Sequence, residues 1–207
     1  MAKIDHLVIG VSSLDAAVAR FWNEFGLEAQ PGGTHGDAGT AMFTVPVGDD
    51  QYFELLTVTD PESRHPVPVW LARQTANGDR LLGLAIAPDD FDVTAKRLGE
   101  PVFELDRVGD DGRKVSWRLT GMLGLLTDEA LPFFIETIAG SEWRCGWREP
   151  AHRTEPYGIA EVEFGGDPVV VGDRINGPGL PVRVVPGRPG VAAVVLRTAR
   201  GDTILRF

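Results

Sequence analysis

The sequence contains one cysteine, Cys145, among its 207 residues, so no disulfide can form within the chain. It also lacks an N-terminal pattern in which basic residues precede an apolar stretch, as a secretory signal requires. Secreted domains of this size use cysteine more heavily. These two absences therefore predict a reducing, cytoplasmic setting.

Basic residues are scarce relative to acidic ones. The chain has 20 Lys and Arg against 30 Asp and Glu, for a formal net charge of -10. A protein that binds nucleic acid through its phosphates needs a basic patch, and an anionic membrane surface makes the same demand. The longest apolar runs, LLGLAIA and ALPFFI, are too short to span a bilayer, which takes about 20 residues. The sequence therefore predicts neither a nucleic-acid partner nor a membrane partner.

Motifs for nucleophilic catalysis and phosphate binding are missing as well. There is no GxSxG serine and no Walker-type loop, and Cys145 has no assignable base partner. The stretch SEWRCGWRE combines aromatic and basic side chains, namely Trp143, Arg144, Trp147 and Arg148. Two interpretations stay open for this stretch: a pocket wall that binds a substrate carboxylate, or a packing seam against the C-terminal part of the chain.

Glycine and proline are abundant, at 25 and 15 residues, which is typical of short strands joined by turns. The first part of the chain predicts a strand, a helix that begins near Ser12 and ends at Gly26, and three further strands. The predicted strands cover 4–11, 27–30, 40–47 and 51–58. The same order recurs later, with strands over 81–87, 102–108, 114–119 and 132–138, a helix from Asp89 to Gly99, and the turns GDAG and GDDG at equivalent places.

This repeat predicts an α+β fold built from two β-α-β-β-β modules. The predicted division is a first module over 1–60, a linker over 61–80, a second module over 81–140 and a strand-rich extension over 141–207 that packs on the modules. The linker carries one short helix near 69–75. The extension has strands over 158–165, 180–187, 191–198 and 203–207, with the stretch DPVVVGDRI open between helix and strand.

A histidine stands in the middle of the first apolar strand. Strand alternation places His6 on one face with Ile4 and Val8, while Leu7 and Ile9 face the helix. One interpretation is a structural histidine hydrogen-bonded to a nearby carboxylate. The other is a functional side chain that lines a cleft.

Two glutamates raise the same question, because an isolated buried carboxylate is costly. Glu54 lies within YFELL on the face of Tyr52, and Glu136 lies within FFIET on the face of Phe134. A carboxylate at a similar place in both modules, together with His6, suggests a shared reason, and a divalent metal with open coordination positions would be one.

The motifs DHLVIGVSSLDAAVARF, PGGTHGDAGTAMFTVPVGDDQYFELL and LPFFIET resemble the vicinal oxygen chelate superfamily, specifically its glyoxalase-like members. The resemblance implies that the two modules curl around a cleft and that four metal ligands come from the first and last strands of each module. Carried over, His6, Glu54 and Glu136 are three of them, and the fourth position falls on Gly83, which has no side chain. Glu54 and Glu136 are also the implied catalytic residues. The implied substrate contacts are His35, Tyr52 and Phe134.

Two functions follow from these residues. The first is a lyase, isomerase or dioxygenase that uses Zn, Ni, Fe or Mn to act on a small oxygen-rich substrate. The second is a metal-free protein that binds a small molecule in the same cleft without turnover. His6, Glu54 and Glu136 favour the first function and Gly83 favours the second. Exposed strand edges could pair two chains into a homodimer.

Overall fold

The computed structural model describes residues 1–35, 38–48, 50–108, 114–127, 130–138, 148–177 and 179–207. The strands are β1 (Lys3–Gly10), β2 (Gln30–His35), β3 (Thr40–Gly48), β4 (Gln51–Val58), β5 (Arg80–Ala87), β6 (Val102–Val108), β7 (Lys114–Thr120), β8 (Phe133–Thr137), β9 (Pro156–Gly165), β10 (Val182–Val185), β11 (Gly190–Thr198) and β12 (Gly201–Leu205). The helices are α1 (Leu14–Arg20), which continues into a π-helical turn at Phe21–Phe25, α2 (Pro66–Gln74), α3 (Phe91–Leu98), α4 (Met122–Leu125) and α5 (Pro168–Ile175). Within these ranges no helix has the length and apolar character needed to cross a membrane.

One mixed sheet of eight strands holds both predicted modules, in the order β2-β3-β4-β1-β5-β8-β7-β6. The central strands β1 and β5 run antiparallel, and each has a parallel partner on its other side, β4 and β8 respectively. The edge strands β2 and β6 approach each other, so the sheet curls into an incomplete barrel. The order β-α-β-β-β occurs twice, and the predicted α+β fold class is confirmed.

The first helix of each module begins and ends as its sequence predicts. The side chains of Ser13 and Asp90 each accept a hydrogen bond from the amide three residues further on, which caps α1 and α3. Gly26 and Gly99 end these helices with φ angles of 70° and 63°, a left-handed conformation that glycine adopts without strain. Because these helix ends are equivalent, the residues of the two modules can be aligned with each other by them.

The C-terminal part of the chain forms a second sheet of four strands, in the order β10-β9-β11-β12. The stretch that the sequence left open between helix and strand is the helix α5, capped by Asp167 and started by Pro168. The strand predicted over 180–187 is shorter, at Val182–Val185, and the strand predicted over 27–30 is displaced to Gln30–His35. The proposed division at residues 60, 80 and 140 stays a prediction.

A large apolar core joins the second sheet to the outer face of the curled sheet. It contains fully buried side chains from both, among them Phe21, Phe53, Phe134 and Phe164. Full burial of one such side chain contributes about 1.5–3 kcal/mol. The core therefore covers the outer face, and the opposite face of the curled sheet has a separate cluster of its own.

A β-bulge in the first strand changes which side chains share a face. The register of β1 against β5 shifts between Ile4 and His6, so Asp5 is an extra residue in the ladder. Ile4 packs in the outer core with Leu7, whereas Val8 belongs to the opposite cluster. The prediction that Ile4 shares the face of His6 is therefore wrong, because simple alternation does not hold across a bulge.

Several predicted features lie wholly or partly outside the described residues. They include the turns GDAG and GDDG and the side chains of Trp143, Arg144, Cys145 and Trp147.

Candidate functional site

The concave face of the curled sheet carries the second apolar cluster. Its buried members come from β1, β3, β4, β5, β7, α4 and β8, with Leu71 of α2 beside them: Val8, Met42, Leu56, Leu82, Ala85, Leu119, Leu125, Phe133 and Ile135. This face is the one that the sequence predicts as a cleft. The polar side chains on it are the candidates for function.

His6 lies at the centre of the concave face and is only 3% exposed. Its ring stacks on Tyr52 at a centroid distance of 4.6 Å and meets the edge of Phe133 at 5.7 Å. Its Nδ1 atom lies 2.6 Å from a carboxylate oxygen of Asp5, and its Nε2 atom lies 3.4 Å from a carboxylate oxygen of Glu54. The bulge makes this possible, because it places Asp5 beside the ring of the residue that follows it.

These two carboxylates determine the charge of His6. Burial by itself lowers the pKa of the imidazole, but the hydrogen bonds and negative charges of Asp5 and Glu54 outweigh it and raise the pKa of His6 from 6.5 to about 9. The ring is therefore protonated at neutral pH and lies between two carboxylates.

A row of polar residues extends from this cluster across the first module. In the ladder Glu54 lies opposite Val8 on β4, Thr44 lies opposite Glu54 on β3, and Gln30 lies opposite Thr44 on β2. Residues paired in this way share a face, so Glu54, Thr44 and Gln30 all belong to the concave face. Thr44 and Gln30 were not predicted from the sequence, although the spacing of Thr44 from Met42 is the signal that could have identified Thr44.

The predicted substrate contacts divide between the two faces. His35 is the last residue of β2, and its Nδ1 atom lies 3.0 Å from the hydroxyl oxygen of Thr40. Thr40 lies opposite His35 in the ladder and two residues from Met42 on β3, so both residues lie on the concave side. Tyr52 stacks on His6, also on that side. Phe134 instead lies in the outer core, 1% exposed, near the guanidinium of Arg97.

Glu136 lies on the same side of β8 as Phe134 and is not brought to His6. Its carboxylate accepts a hydrogen bond of 3.0 Å from Nε of Arg118, and Arg118 also pairs with Asp92 and covers the ring of Phe91. Glu136 is therefore part of an ion-pair group against α3. Phe133 and Ile135 are the residues that β8 presents to the concave face.

The ladder register explains this difference. Alignment of the two modules by their helix caps makes Ala85 the counterpart of Val8. Val8 pairs with Glu54 across β1 and β4, and Ala85 pairs with Phe133 across β5 and β8. The residue equivalent to Glu54 in the second module is therefore Phe133, not Glu136.

The same alignment makes Gly83 the counterpart of His6. A Cβ atom added to Gly83 would meet the two Cδ atoms of Leu125 at 3.1 and 3.3 Å and Cε1 of Phe133 at 3.5 Å. Apolar side chains thus fill the space where a ligating side chain would extend.

A family model described as a glyoxalase-like domain matches residues 4–170, about four fifths of the chain. The chain belongs to the glyoxalase-like domain family. The resemblance to the glyoxalase-like members of the vicinal oxygen chelate superfamily is thereby confirmed. No curated protein matches the chain.

Solved structures with similar folds include methylmalonyl-CoA epimerase from Mycobacterium tuberculosis, 18% identical, with a TM-score of 0.47 over 65% of this chain and 85% of that chain. A variant of the Streptomyces coelicolor methylmalonyl-CoA epimerase, in complex with 2-nitronate-propionyl-CoA, is 23% identical, with a TM-score of 0.48 over 66% of this chain and 97% of that chain. A methylmalonyl-CoA epimerase in complex with methylmalonyl-CoA and NH4+ is 22% identical, with a TM-score of 0.49 over 68% of this chain and 98% of that chain. Similarity at this level says nothing about the substrate or the reaction of this glyoxalase-like chain.

The residues of this glyoxalase-like domain fit a divalent metal poorly. Of the four positions that the superfamily resemblance implies, His6 and Glu54 carry donor atoms, and the counterparts in the second module are Gly83 and Phe133. In the part of the chain that the structure describes, no group of three or more His, Cys, Asp or Glu side chains is arranged to hold a metal ion. Metal binding would also require His6 to lose the proton that Asp5 and Glu54 stabilise.

A segment of the glyoxalase-like chain, residues 148–154, which we name the clasp, runs beside residues 26–30, where the chain enters β2. The amide nitrogen of Gln30 donates to the carbonyl oxygen of Arg148 at 3.0 Å. Nδ1 of His152 accepts from the backbone amide of Glu28 at 2.8 Å, so Nε2 carries the proton and donates to the carbonyl oxygen of Pro46 at 2.8 Å. The clasp thus holds the last residue of the polar row in place.

We expect the clasp to loosen in acid. Burial lowers the pKa of His152 below 6.5, and the hydrogen bond from Arg148 lowers the pKa of Glu28 below 4.5. Both groups therefore contribute stability to the fold at a pH above their ordinary pKa values. This contribution is lost as the pH falls through the lower pKa that each group has in the fold. Hydrogen exchange should show that the protection factor of the Glu28 amide decreases between about pH 7 and about pH 5.

Two controls make this test specific. The amide of Leu27 donates to the carbonyl oxygen of Phe21, which does not titrate, so its protection factor should change less over the same range. The variant His152→Gln should show a weaker pH dependence at Glu28. Equal pH dependence at Glu28 and Leu27 would contradict the prediction.

Proposed function

We propose that the chain is a metal-free protein that binds a small molecule on the concave face of its curled sheet. The observation that carries the proposal is the replacement of the ligand positions in the second module by Gly83 and Phe133. The apolar side chains around these two residues suit the body of an organic molecule better than an ion. The polar row of the first module provides the hydrogen bonds that orient it.

The partners of His6 support the same function. A metal needs a ring nitrogen with a free lone pair, whereas Nδ1 of His6 faces a carboxylate oxygen of Asp5 at 2.6 Å and Nε2 faces one of Glu54 at 3.4 Å. In this proposal the three side chains form the polar floor of a binding site. A homodimer stays a prediction that this site does not require.

Metal binding is tested by elemental analysis of untagged protein and by calorimetric titration with Zn²⁺, Ni²⁺, Mn²⁺ and Fe²⁺. We expect wild-type protein to hold far less than one ion per chain, and no more than the double variant His6→Ala/Glu54→Gln. A stoichiometric ion in the wild type that this variant loses while it stays folded would overturn the proposal.

Binding of an organic molecule is tested with toluene as an apolar probe, by saturation-transfer NMR. We expect a transfer signal in the wild type that weakens in Ile135→Trp, which narrows the concave face. The matched change Val93→Trp, at an exposed residue of α3, should leave the signal unchanged. If no benzene-sized probe gives a saturation-transfer signal, and aromatic alcohols also give none, this result would contradict the binding function.

A second candidate function is a metal-dependent isomerase, lyase or dioxygenase, in which Glu54 serves as the base. The adjacency of His6 and Glu54, two of the ligand types that such an enzyme needs, is the observation that favours it. The metal measurement above separates the two candidates.

A further inference from the structure

The edge strand β6 exposes apolar side chains on the concave face. Phe103 and Leu105 are 40% and 47% exposed. In the ladder Phe103 lies opposite Leu119 and Leu105 lies opposite Trp117, and both partners pack in the apolar cluster of the concave face. Residues paired in this way share a face, so Phe103 and Leu105 extend that cluster to the edge of the sheet.

The opposite face of β6 carries the charges. Glu104 lies opposite Arg118 in the ladder. The carboxylate of Asp106 lies 2.8 Å from Nζ of Lys114 and accepts a hydrogen bond of 2.6 Å from the hydroxyl of Ser116. A strand normally presents polar residues to water and apolar residues to a core. Residues 102–106 are exposed on both faces, so the apolar face calls for a partner that is not part of this packing.

An apolar row continues from β6 toward the interior. Phe103 lies opposite Leu119 on β7, and Leu119 lies opposite Ile135 on β8. Leu119 and Ile135 are buried, so exposure decreases along the row from the edge strand inward. Neighbouring strands lie about 4.8 Å apart, so the apolar row spans about 10 Å from β6 to β8. A molecule that covers the whole row is longer than one benzene ring.

The two halves of the concave face differ in polarity. The first module contributes the polar row, in which the hydroxyl of Thr44 is buried without a hydrogen-bond partner. The described side chains on the concave face of β6, β7 and β8 are uncharged, among them Phe103, Leu105, Trp117, Leu119, Phe133 and Ile135. An ion on this half would find no countercharge there, whereas an apolar group would leave water and be stabilised.

The exposed area suits a small molecule better than a second copy of the chain. A stable interface between two proteins buries about 800 Å² on each partner, far more than two half-exposed side chains offer. Phe103 and Leu105 also lie on the inner side of the curled sheet, continuous with the proposed binding site. A small organic molecule can contact both at once from that side.

We propose that the concave face binds an elongated molecule whose apolar chain or ring system extends along the apolar row and ends against Phe103 and Leu105. This inference rests on the proposed function and names its ligand class. Phe103 and Leu105 determine specificity for length, because they contact only the far end of a long ligand. A ligand the size of one benzene ring binds without them.

The experiment compares 1-butanol, 1-hexanol and 1-octanol, which share one polar end and differ in the length of the apolar chain. Dissociation constants come from NMR titration of wild-type protein. We expect the affinity to rise about fourfold with each added methylene group, because burial of one such group is worth that factor. An affinity that does not increase with chain length would overturn the inference.

Variants of the edge strand test where the far end of the ligand lies. Phe103→Ser and Leu105→Ser should each weaken the binding of 1-octanol about tenfold, the worth of roughly two methylene contacts, and leave 1-butanol unchanged. Val102→Ser is the matched control. Val102 is 46% exposed on the same strand, but it lies opposite Thr120, which pairs with Phe134 of the outer core. Val102→Ser should leave the affinity for both alcohols unchanged.

The outcomes separate this inference from the proposed function. Equal losses of 1-octanol affinity in Phe103→Ser and Val102→Ser, or no loss in Phe103→Ser and Leu105→Ser, would overturn the inference and leave small-molecule binding in place. Sedimentation tests the other occupant. A wild-type dimer that becomes a monomer in the double variant Phe103→Ser/Leu105→Ser would assign these side chains to a second copy and overturn the inference. If neither toluene nor any of the three alcohols binds, the inference and the proposed function both fail.

Discussion

Replacement of Arg174 by methionine is expected to lower the free energy of unfolding by about 3–5 kcal/mol, the cost of removing one partner of a buried ion pair. The side chain of Arg174 is 8% exposed, and its guanidinium pairs with Glu100. Nε donates to the carbonyl oxygen of Pro132 at 2.9 Å, and Nη2 donates to that of Gly121 at 2.8 Å. Methionine fills similar space but donates nothing, so these oxygens are left buried without a donor. Urea denaturation followed by circular dichroism measures the change.

Two further variants show whether the loss comes from the unpaired partners. The double variant Arg174→Met/Glu100→Met should recover part of the stability, because it removes the stranded carboxylate. Arg183→Met is the matched control on the surface. Arg183 pairs with Glu161 and Glu163, but its side chain is 52% exposed, so its replacement should change stability little. Equal losses in Arg174→Met and Arg183→Met would contradict the prediction.

This arginine connects the C-terminal sheet to the second module. Arg174 belongs to α5, whereas its partners belong to three loops of the second module: Glu100 before β6, Gly121 between β7 and α4, and Pro132 before β8. Arg97 of α3 strengthens the connection by donating to the backbone carbonyl oxygens of Asp173 and Arg174. The C-terminal sheet and the second module are therefore expected to unfold in one transition.

The fold could be predicted from the sequence because its signals are local. The caps Ser13 and Asp90 and the stops Gly26 and Gly99 define two helices of the same kind, and apolar alternation defines the strands around them. The C-terminal sheet was predicted less well. Pro168 at the start of α5 is compatible with both a helix and a turn, so local pattern left that stretch open.

Half of the candidate site could be predicted, and the other half depended on strand register. His6 and Glu54 are adjacent as expected, because each is the polar residue within an apolar strand. Glu136 is also the polar residue within an apolar strand. A carboxylate on the outer face gives the same sequence pattern when an arginine, here Arg118, pairs with it. The alternation within a strand does not show which face of the sheet is concave. A shift of one residue in the strand register moves every side chain to the opposite face.

Asp5 and Thr44 could not be predicted for a related reason. Asp5 reaches His6 through a β-bulge, and a bulge depends on how β1 pairs with β5. Thr44 matters because it lies opposite Glu54 and has no partner, and both facts arise only when β3 and β4 are paired.

Protonation of His6 is expected to make the protein less stable in alkali than near neutrality. Its pKa rises from 6.5 in the unfolded chain to about 9 in the fold. The contribution is therefore fully present below pH 6.5 and is lost as the pH rises through about 9, which corresponds to about 3 kcal/mol. The measurement is urea denaturation of wild type and His6→Gln between about pH 6 and about pH 10. The difference in unfolding free energy should be largest at the acid end of this range and shrink toward the alkaline end.

Neutralisation of each carboxylate identifies the source of the effect. Asp5→Asn and Glu54→Gln should both move the loss of stability to lower pH, and Asp5→Asn should move it further, because the hydrogen bond of 2.6 Å to Asp5 is shorter than the 3.4 Å contact to Glu54. NMR titration of the His6 ring gives the same pKa values directly. A difference between wild type and His6→Gln that stays constant with pH would mean that His6 is neutral in the fold. A neutral ring could accept a metal ion, so that outcome would favour the metal-dependent enzyme. A charged ring would favour the binding of an organic ligand.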